Sequence, residues 1–109
     1  MADVNGQAVA LITGASSGIG EALAMHYARA GRTLCLTGRD ASRLESVAQA
    51  CRQQGATTET WIGDVSDADG LKQWIIDCDQ RHRLNLVIAN AGVALLINCL
   101  FSLARDKGM

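Results

Sequence analysis

Proline is absent from the 109-residue chain, and aromatic side chains make up only 4% of it: two tryptophans, one tyrosine and one phenylalanine. The missing proline points to no function by itself. Charge bias is missing too: ten basic and eleven acidic residues leave a net charge of -1, with both signs interspersed. That balance leaves no electrostatic footprint for nucleic acid or an anionic membrane. No CxxC pair occurs among the four cysteines, Cys35, Cys51, Cys78 and Cys99. This argues against a zinc site or a redox dithiol, and for reduced, mostly buried thiols of an intracellular protein. Met1 to Gln7 lacks the basic and apolar stretches of a secretory leader. Val93 to Ala104 is strongly apolar, but Asn98 interrupts it and its 12 residues fall short of the roughly 20 that span a bilayer. Cytoplasm is the expected compartment. No linker, repeat or low-complexity tract divides the chain. With 49% hydrophobic and 19% charged residues it reads as one ordinary globular domain, 1–109, with a modest core.

What is present alternates. Strand-like apolar runs at Val9 to Thr13, Thr33 to Thr37, Thr58 to Ile62 and Leu84 to Ala89 are separated by three helical patterns. In the first helix, from Gly18, the residues Ile19, Ala22, Leu23, Tyr27 and Ala30 follow helical spacing, and Gly31 stands where a left-handed cap ends it. The second opens on Ser42-Arg43-Leu44-Glu45, which fits a capping box, buries Leu44, Val47, Ala48 and Cys51 on one face, and stops at Gly55. Ser66 is the expected cap of the third, whose inward residues are Leu71, Trp74, Ile75 and Cys78. Strands alternating with helices through right-handed crossovers predict an α/β fold, half of a doubly wound parallel sheet.

The most informative segment is Thr13-Gly14-Ala15-Ser16-Ser17-Gly18-Ile19-Gly20, between the first strand and the first helix. Such a turn aims free backbone N–H groups and the positive helix end at one spot, where the pyrophosphate of a dinucleotide is stabilised without a side-chain charge. Gly14 permits the sharp turn, Gly18 a close backbone approach, and Gly20 the packing of the helix on the strand; Ser16 and Ser17 add hydroxyl donors. A tight strand-to-helix turn without ligand is the plain alternative. A P-loop is excluded, because the GxxxxGK[ST] pattern is not met: counted from Gly14, Ile19, Gly20 and Glu21 stand where its second glycine, lysine and hydroxyl residue are required.

On these residues the chain resembles the short-chain dehydrogenase/reductase family, whose cofactor motif TGxxxGxG is matched from Thr13 to Gly20. Gly38-Arg39 after the second strand, Asp64-Val65 after the third and Asn90-Ala91-Gly92 after the fourth extend the resemblance over residues 8 to 92. It implies a Rossmann-type fold, truncated here to about four strands and three helices plus an apolar tail over 93–109, and oxidoreduction of a carbonyl or alcohol with a nicotinamide dinucleotide. It further implies that Asp64 accepts a hydrogen bond from the adenine amino group, that the Val65 backbone holds the ring, that Asn90, Ala91 and Gly92 pass beside the ribose and brace the glycine turn through Thr13, and that Ile19 lies near the nicotinamide. A solvated, helix-capping carboxylate is the plain reading of Asp64, and a turn residue that of Asn90.

Cofactor choice follows from charge. An NAD(H) site uses an acidic residue about 20 positions beyond the glycines, whereas a guanidinium binds the 2'-phosphate of NADP(H). Here Gly38 takes the acidic place and Arg39 follows it, which favours NADP(H) and leaves NAD(H) open. Asp40 is placed to pair with Arg39, and a solvated loop arginine is the other reading.

The chemistry the resemblance implies rests on a tyrosine, a lysine four residues later and an upstream serine, which move the proton and polarise the carbonyl. The one tyrosine, Tyr27, is followed four positions on by Gly31 and sits at core spacing in the first helix. Asn98 is too close to Gly92 to match the family's catalytic asparagine. No catalytic residue is therefore assigned, and the 109 residues are expected to be inactive alone. His26 and His82 read as surface or packing residues, Trp61 and Trp74 as core or sheet-edge residues. The open fourth strand beside the tail leaves three outcomes: the tail covers the edge, a second copy pairs through it, or the chain aggregates. A noncatalytic partner of a full-length relative and a nonfunctional remnant are the rival readings.

Overall fold

A computed structural model of the chain describes residues 9–16, 18–63 and 67–88, with the backbone alone at Ala68. The elements are β1 (Val9–Ile12), α1 (Gly18–Tyr27), β2 (Thr33–Gly38), α2 (Ala41–Gln53), β3 (Thr57–Ile62), α3 (Ala68–His82) and β4 (Leu86–Ile88). The four strands form one parallel sheet in the order β3-β2-β1-β4. Because β1 lies between β2 and β4, both its edges are paired and all four of its residues are buried.

Strand periodicity divides the core into two layers. Ala10, Ile12, Leu34 and Leu36 face one side, where Ala24 and Ala28 with Leu44, Val47, Ala48 and Cys51 cover them. Val9, Leu11 and Cys35 face the other, under Leu71, Ile75 and Cys78. The expected inward faces of α2 and α3 are thus correct, with Trp74 only partly buried. Trp61 on β3 stacks on Trp74, with ring centroids 6.4 Å apart and 26° between planes, so both serve packing at the sheet edge. Cys35, Cys51 and Cys78 are free and buried. Hydrogen bonding with Cys78, then burial, holds Cys35 as a thiol, and burial pushes Cys51 up. Cys99 lies outside the described residues.

The face of α1 departs from expectation. Ile19, Ala22 and Ala30 are exposed, Leu23 and Tyr27 only partly buried, and the buried residues are Gly20, Ala24 and Ala28. Three small residues at spacings of four let the helix approach the sheet closely, so smallness selects the inward face here where bulk suggested another. The helix also stops at Tyr27, short of Gly31, which takes its left-handed φ of 86° in the following loop. Tyr27 packs on the core and meets the exposed His26 edge to face at 5.1 Å.

Both remaining helix starts also differ. Asp40, not Ser42, caps α2, its Oδ1 accepting from the Arg43 amide at 3.1 Å. Asp67 caps α3 by accepting from the Gly70 amide at 3.2 Å; Ser66 lies outside the described residues. A carboxylate, two positions before Ser42 in one case and one position after Ser66 in the other, reaches the free amides of the first turn as well as a hydroxyl does, and adds favourable charge at the positive helix end. Gly55 ends α2 as expected, with φ 98° and its amide bonded to Arg52 O at 2.9 Å. At the end of α3 a non-glycine, Arg83, takes the left-handed position at φ 63°, its amide bonded to Asp79 O and the next amide, that of Leu84, to Asp79 Oδ1 at 2.9 Å. Strand ends move slightly: Thr13 falls outside β1, β2 takes in Gly38, β3 begins at Thr57, and β4 begins at Leu86 because Asn85 is occupied in clamping Val9 through both its amide and its side chain.

Glu59 on β3 ties the edge strand to the end of α3. It accepts from Arg81 Nε at 3.1 Å and also pairs with Arg81 Nη2 and His82 Nε2. Hydrogen bonds from Arg81 first, then from His82, outweigh partial burial and hold its carboxyl at about 2. His82 therefore has a carboxylate partner that its sequence neighbours do not reveal. Among the described residues no helix is long and apolar enough to cross a membrane, and no group of three His, Cys, Asp or Glu is placed to hold a metal ion. The tail over 93–109 lies outside the described residues.

Candidate functional site

The glycine turn sits at the carboxyl ends of the parallel strands, where the strand order reverses between β1 and β4, the position at which open α/β sheets form their ligand crevice. Two backbone hydrogen bonds fix it there. The Thr13 amide donates to Ile88 O at the end of β4, at 3.1 Å, and the Ala15 amide donates to Thr37 O near the end of β2, at 2.8 Å. The turn therefore spans three strand ends.

Each glycine has its own reason to be there. Gly14 turns the chain at φ 66°, a left-handed value that side chains resist. Gly18, at φ 39°, faces open space: an added Cβ would have nothing within 4 Å, which leaves its backbone approachable at the amino end of α1. Gly20 is needed for contact with the turn itself, because a Cβ there would fall 2.1 Å from the Gly14 carbonyl oxygen and 3.0 Å from Ala15 Cα. Beside this opening Ile19 projects with 71% of its surface exposed. Ser16 is buried against Gly38, where an added Cβ would lie 2.5 Å from Ser16 Oγ.

The end of β2 joins the same edge. Gly38 is its last residue, Gly63 donates to Gly38 O at 3.1 Å, and the exposed Arg39 follows. Asp40 is engaged as the cap of α2. Of the residues expected in the site, Gly14, Ser16, Gly18, Ile19, Gly20 and Arg39 are thus gathered at the strand ends. Ser17, Asp64, Val65, Asn90, Ala91 and Gly92 lie outside the described residues. Sequence reading missed two features. One is the Ser16–Gly38 contact, which joins positions 22 apart and leaves no local pattern; the other is Ile62, aligned with Gly38 and 53% exposed, whose only signal is an apolar residue at a strand end.

The arrangement presents amides, a positive helix end, an open glycine and a nearby guanidinium, with no carboxylate at position 38. Such features suit the pyrophosphate of a dinucleotide, and among the described residues no group is placed to move a substrate proton.

Comparison with known proteins agrees with this geometry. The family described as short chain dehydrogenase matches residues 8–107. An 11-beta-hydroxysteroid dehydrogenase-like protein, 4A, of Arabidopsis thaliana is 44% identical over 93 residues, covering 84% of this chain and 31% of that protein. An alcohol dehydrogenase from the archaeon Thermococcus sibiricus, solved with 5-hydroxy-NADP, is 41% identical with a TM-score of 0.69, over 78% of this chain and 37% of that one. A metagenomic short-chain oxidoreductase solved with NADP gives 32% identity and a TM-score of 0.72, over 83% and 41%. The chain thus spans about a third of the length of these relatives. A matched family over most of its length, with relatives more than 40% identical and solved structures of the same fold, makes this chain a member of the short-chain dehydrogenase family.

Proposed function

We propose that the chain binds a nicotinamide dinucleotide at the glycine turn, with NADP(H) preferred over NAD(H), as the cofactor-holding part of an oxidoreductase acting on a carbonyl or alcohol. The observation that carries this is the meeting, at one strand-end crevice, of the open Gly18 at the head of α1 with Gly38 and Arg39 in place of a carboxylate. NADP and 5-hydroxy-NADP in the two related structures support the same choice.

In this reading the amides of the turn and the amino end of α1 take the pyrophosphate, and Arg39 takes the 2'-phosphate. Ser16 and Ser17 line the turn, and Ile19 bounds the nicotinamide side. Asp64 and Val65 hold the adenine, and Asn90, Ala91 and Gly92 border the ribose. When bound, the cofactor supplies or accepts a hydride. Proton transfer to or from a substrate needs a tyrosine–lysine pair, and these 109 residues contain no YxxxK sequence. Assayed alone they bind cofactor without turnover.

Titrating the purified chain with NADPH and NADH, by quenching of Trp61 and Trp74 and by calorimetry, tests the reading. NADPH binds more tightly, and Arg39→Ala costs its affinity about 10- to 100-fold, the value of a charge-assisted hydrogen bond, while NADH is little changed. A folded sample that binds neither dinucleotide refutes the site, and tighter binding of NADH refutes the role of Arg39.

A further inference from the structure

We infer that Ser16 and Gly38 act as one steric unit that keeps every side chain, and so every carboxylate, off the end of β2, making Ser16 a determinant of cofactor choice. This deepens the proposed NADP(H) reading and rests on it for its consequence, though not for the contact itself.

The contact follows from three observations. Gly38 does not have a left-handed φ, unlike Gly14, Gly18, Gly31 and Gly55. Backbone conformation therefore does not demand glycine; space does. A Cβ at position 38 would stand 2.5 Å from Ser16 Oγ, 2.9 Å from Ser16 Cβ and 3.3 Å from the Ser16 amide nitrogen. Rotating the hydroxyl away relieves the first contact but not the second. Nor can the two backbones separate cheaply, because the Ala15 amide is bonded to Thr37 O at 2.8 Å and the Gly63 amide to Gly38 O at 3.1 Å. Position 38 is pinned from the turn on one side and from β3 on the other.

The consequence concerns selectivity. An acidic residue at position 38 is the obvious means of turning such a site toward the ribose hydroxyls of NAD(H). Here that side chain meets Ser16 before it meets a ribose. Exclusion of a carboxylate from position 38 is thereby held by two positions, one in the glycine turn and one in the neighbouring strand, and it is lifted only when both change.

A double-mutant cycle tests this. Gly38→Ala adds a methyl group and no charge. It is expected to weaken both dinucleotides by about tenfold, the scale of an overpacked contact, and to lower the melting temperature of the cofactor-free chain. Combining it with Ser16→Gly recovers most of both losses relative to Ser16→Gly alone; combining it with Ser16→Ala recovers less, because the Cβ remains. Gly38→Asp follows the same pattern, favouring NADH only in the Ser16→Gly background. Equal losses from Gly38→Ala whether residue 16 is serine or glycine overturn the inference, as does a Gly38→Asp variant that binds NADH tightly with Ser16 in place. If Gly38→Ala does not fold, recovery of the fold in the Ser16→Gly double variant supports the contact and continued unfolding overturns it. Because melting and the alanine cycle ignore the 2'-phosphate, they give their answer even where the unaltered chain shows no preference for NADPH, an outcome that would sink only the role of Arg39.

Discussion

Replacing Gly20 by alanine separates two reasons for a glycine that sequence alone merges. The new methyl group would stand 2.1 Å from the Gly14 carbonyl oxygen, 2.7 Å from its carbon and 3.0 Å from Ala15 Cα. All three are backbone atoms, so no rotamer change relieves the clash, and α1 must move off the turn. Overpacking costs about 1–3 kcal/mol in ordinary cores, and a backbone clash belongs at about 3 or above. Alanine recovers at most about 1 kcal/mol of helix propensity, leaving a net loss of about 2 kcal/mol or more. For a chain of this size that lowers the melting temperature by roughly 8–16 °C. Gly18→Ala is the control: its methyl group meets nothing within 4 Å but must adopt φ 39°, a left-handed strain of about 1 kcal/mol. Thermal unfolding followed by circular dichroism compares the two. Equal melting temperatures, or a larger loss at Gly18, would refute the claim that Gly20 is fixed by helix-to-turn contact.

Two further outcomes concern stability away from the turn. Asp40→Ala should cost about 1 kcal/mol, as loss of a helix cap does, while Ser42→Ala leaves urea unfolding unchanged; the reverse ranking would restore the capping box. Glu59, held at about 2 against an ordinary 4.5 by Arg81 and His82, adds stability that is complete above pH 4.5 and drains away as pH falls toward 2. Solvent screening of these partly exposed groups reduces it to about 1–2 kcal/mol. The acid loss of the urea midpoint should therefore be shallower in Glu59→Gln, and parallel pH profiles for the two proteins would contradict the pairing.

Most of the fold was legible because it is written in short periods. Continuous apolar runs in β1 and β2 and four-residue spacing in α2 and α3 name the residues that the structure buries. The α1 face was only partly read: Leu23 and Tyr27 flank the core half-buried and Ile19 is exposed, while the fully buried positions are the small Gly20, Ala24 and Ala28. The caps were misread by one or two positions because a serine and a neighbouring aspartate make similar offers to the same free amides. In the site, the glycines and Arg39 could be placed from their position after strands. The Ser16–Gly38 contact and the Glu59–His82 pair could not, since each joins residues more than twenty positions apart and exists only once the sheet order is known.

The turn's two hydrogen bonds, Thr13 to β4 and Ala15 to β2, lash together the ends of three strands. A ligand seated on that turn bridges the same seams from outside, so its binding energy is added to folding energy through mass action. Cofactor and core are then not container and contents but parts of a single cooperative structure: whatever loosens the strand ends releases the ligand, and whatever supplies the ligand tightens the sheet.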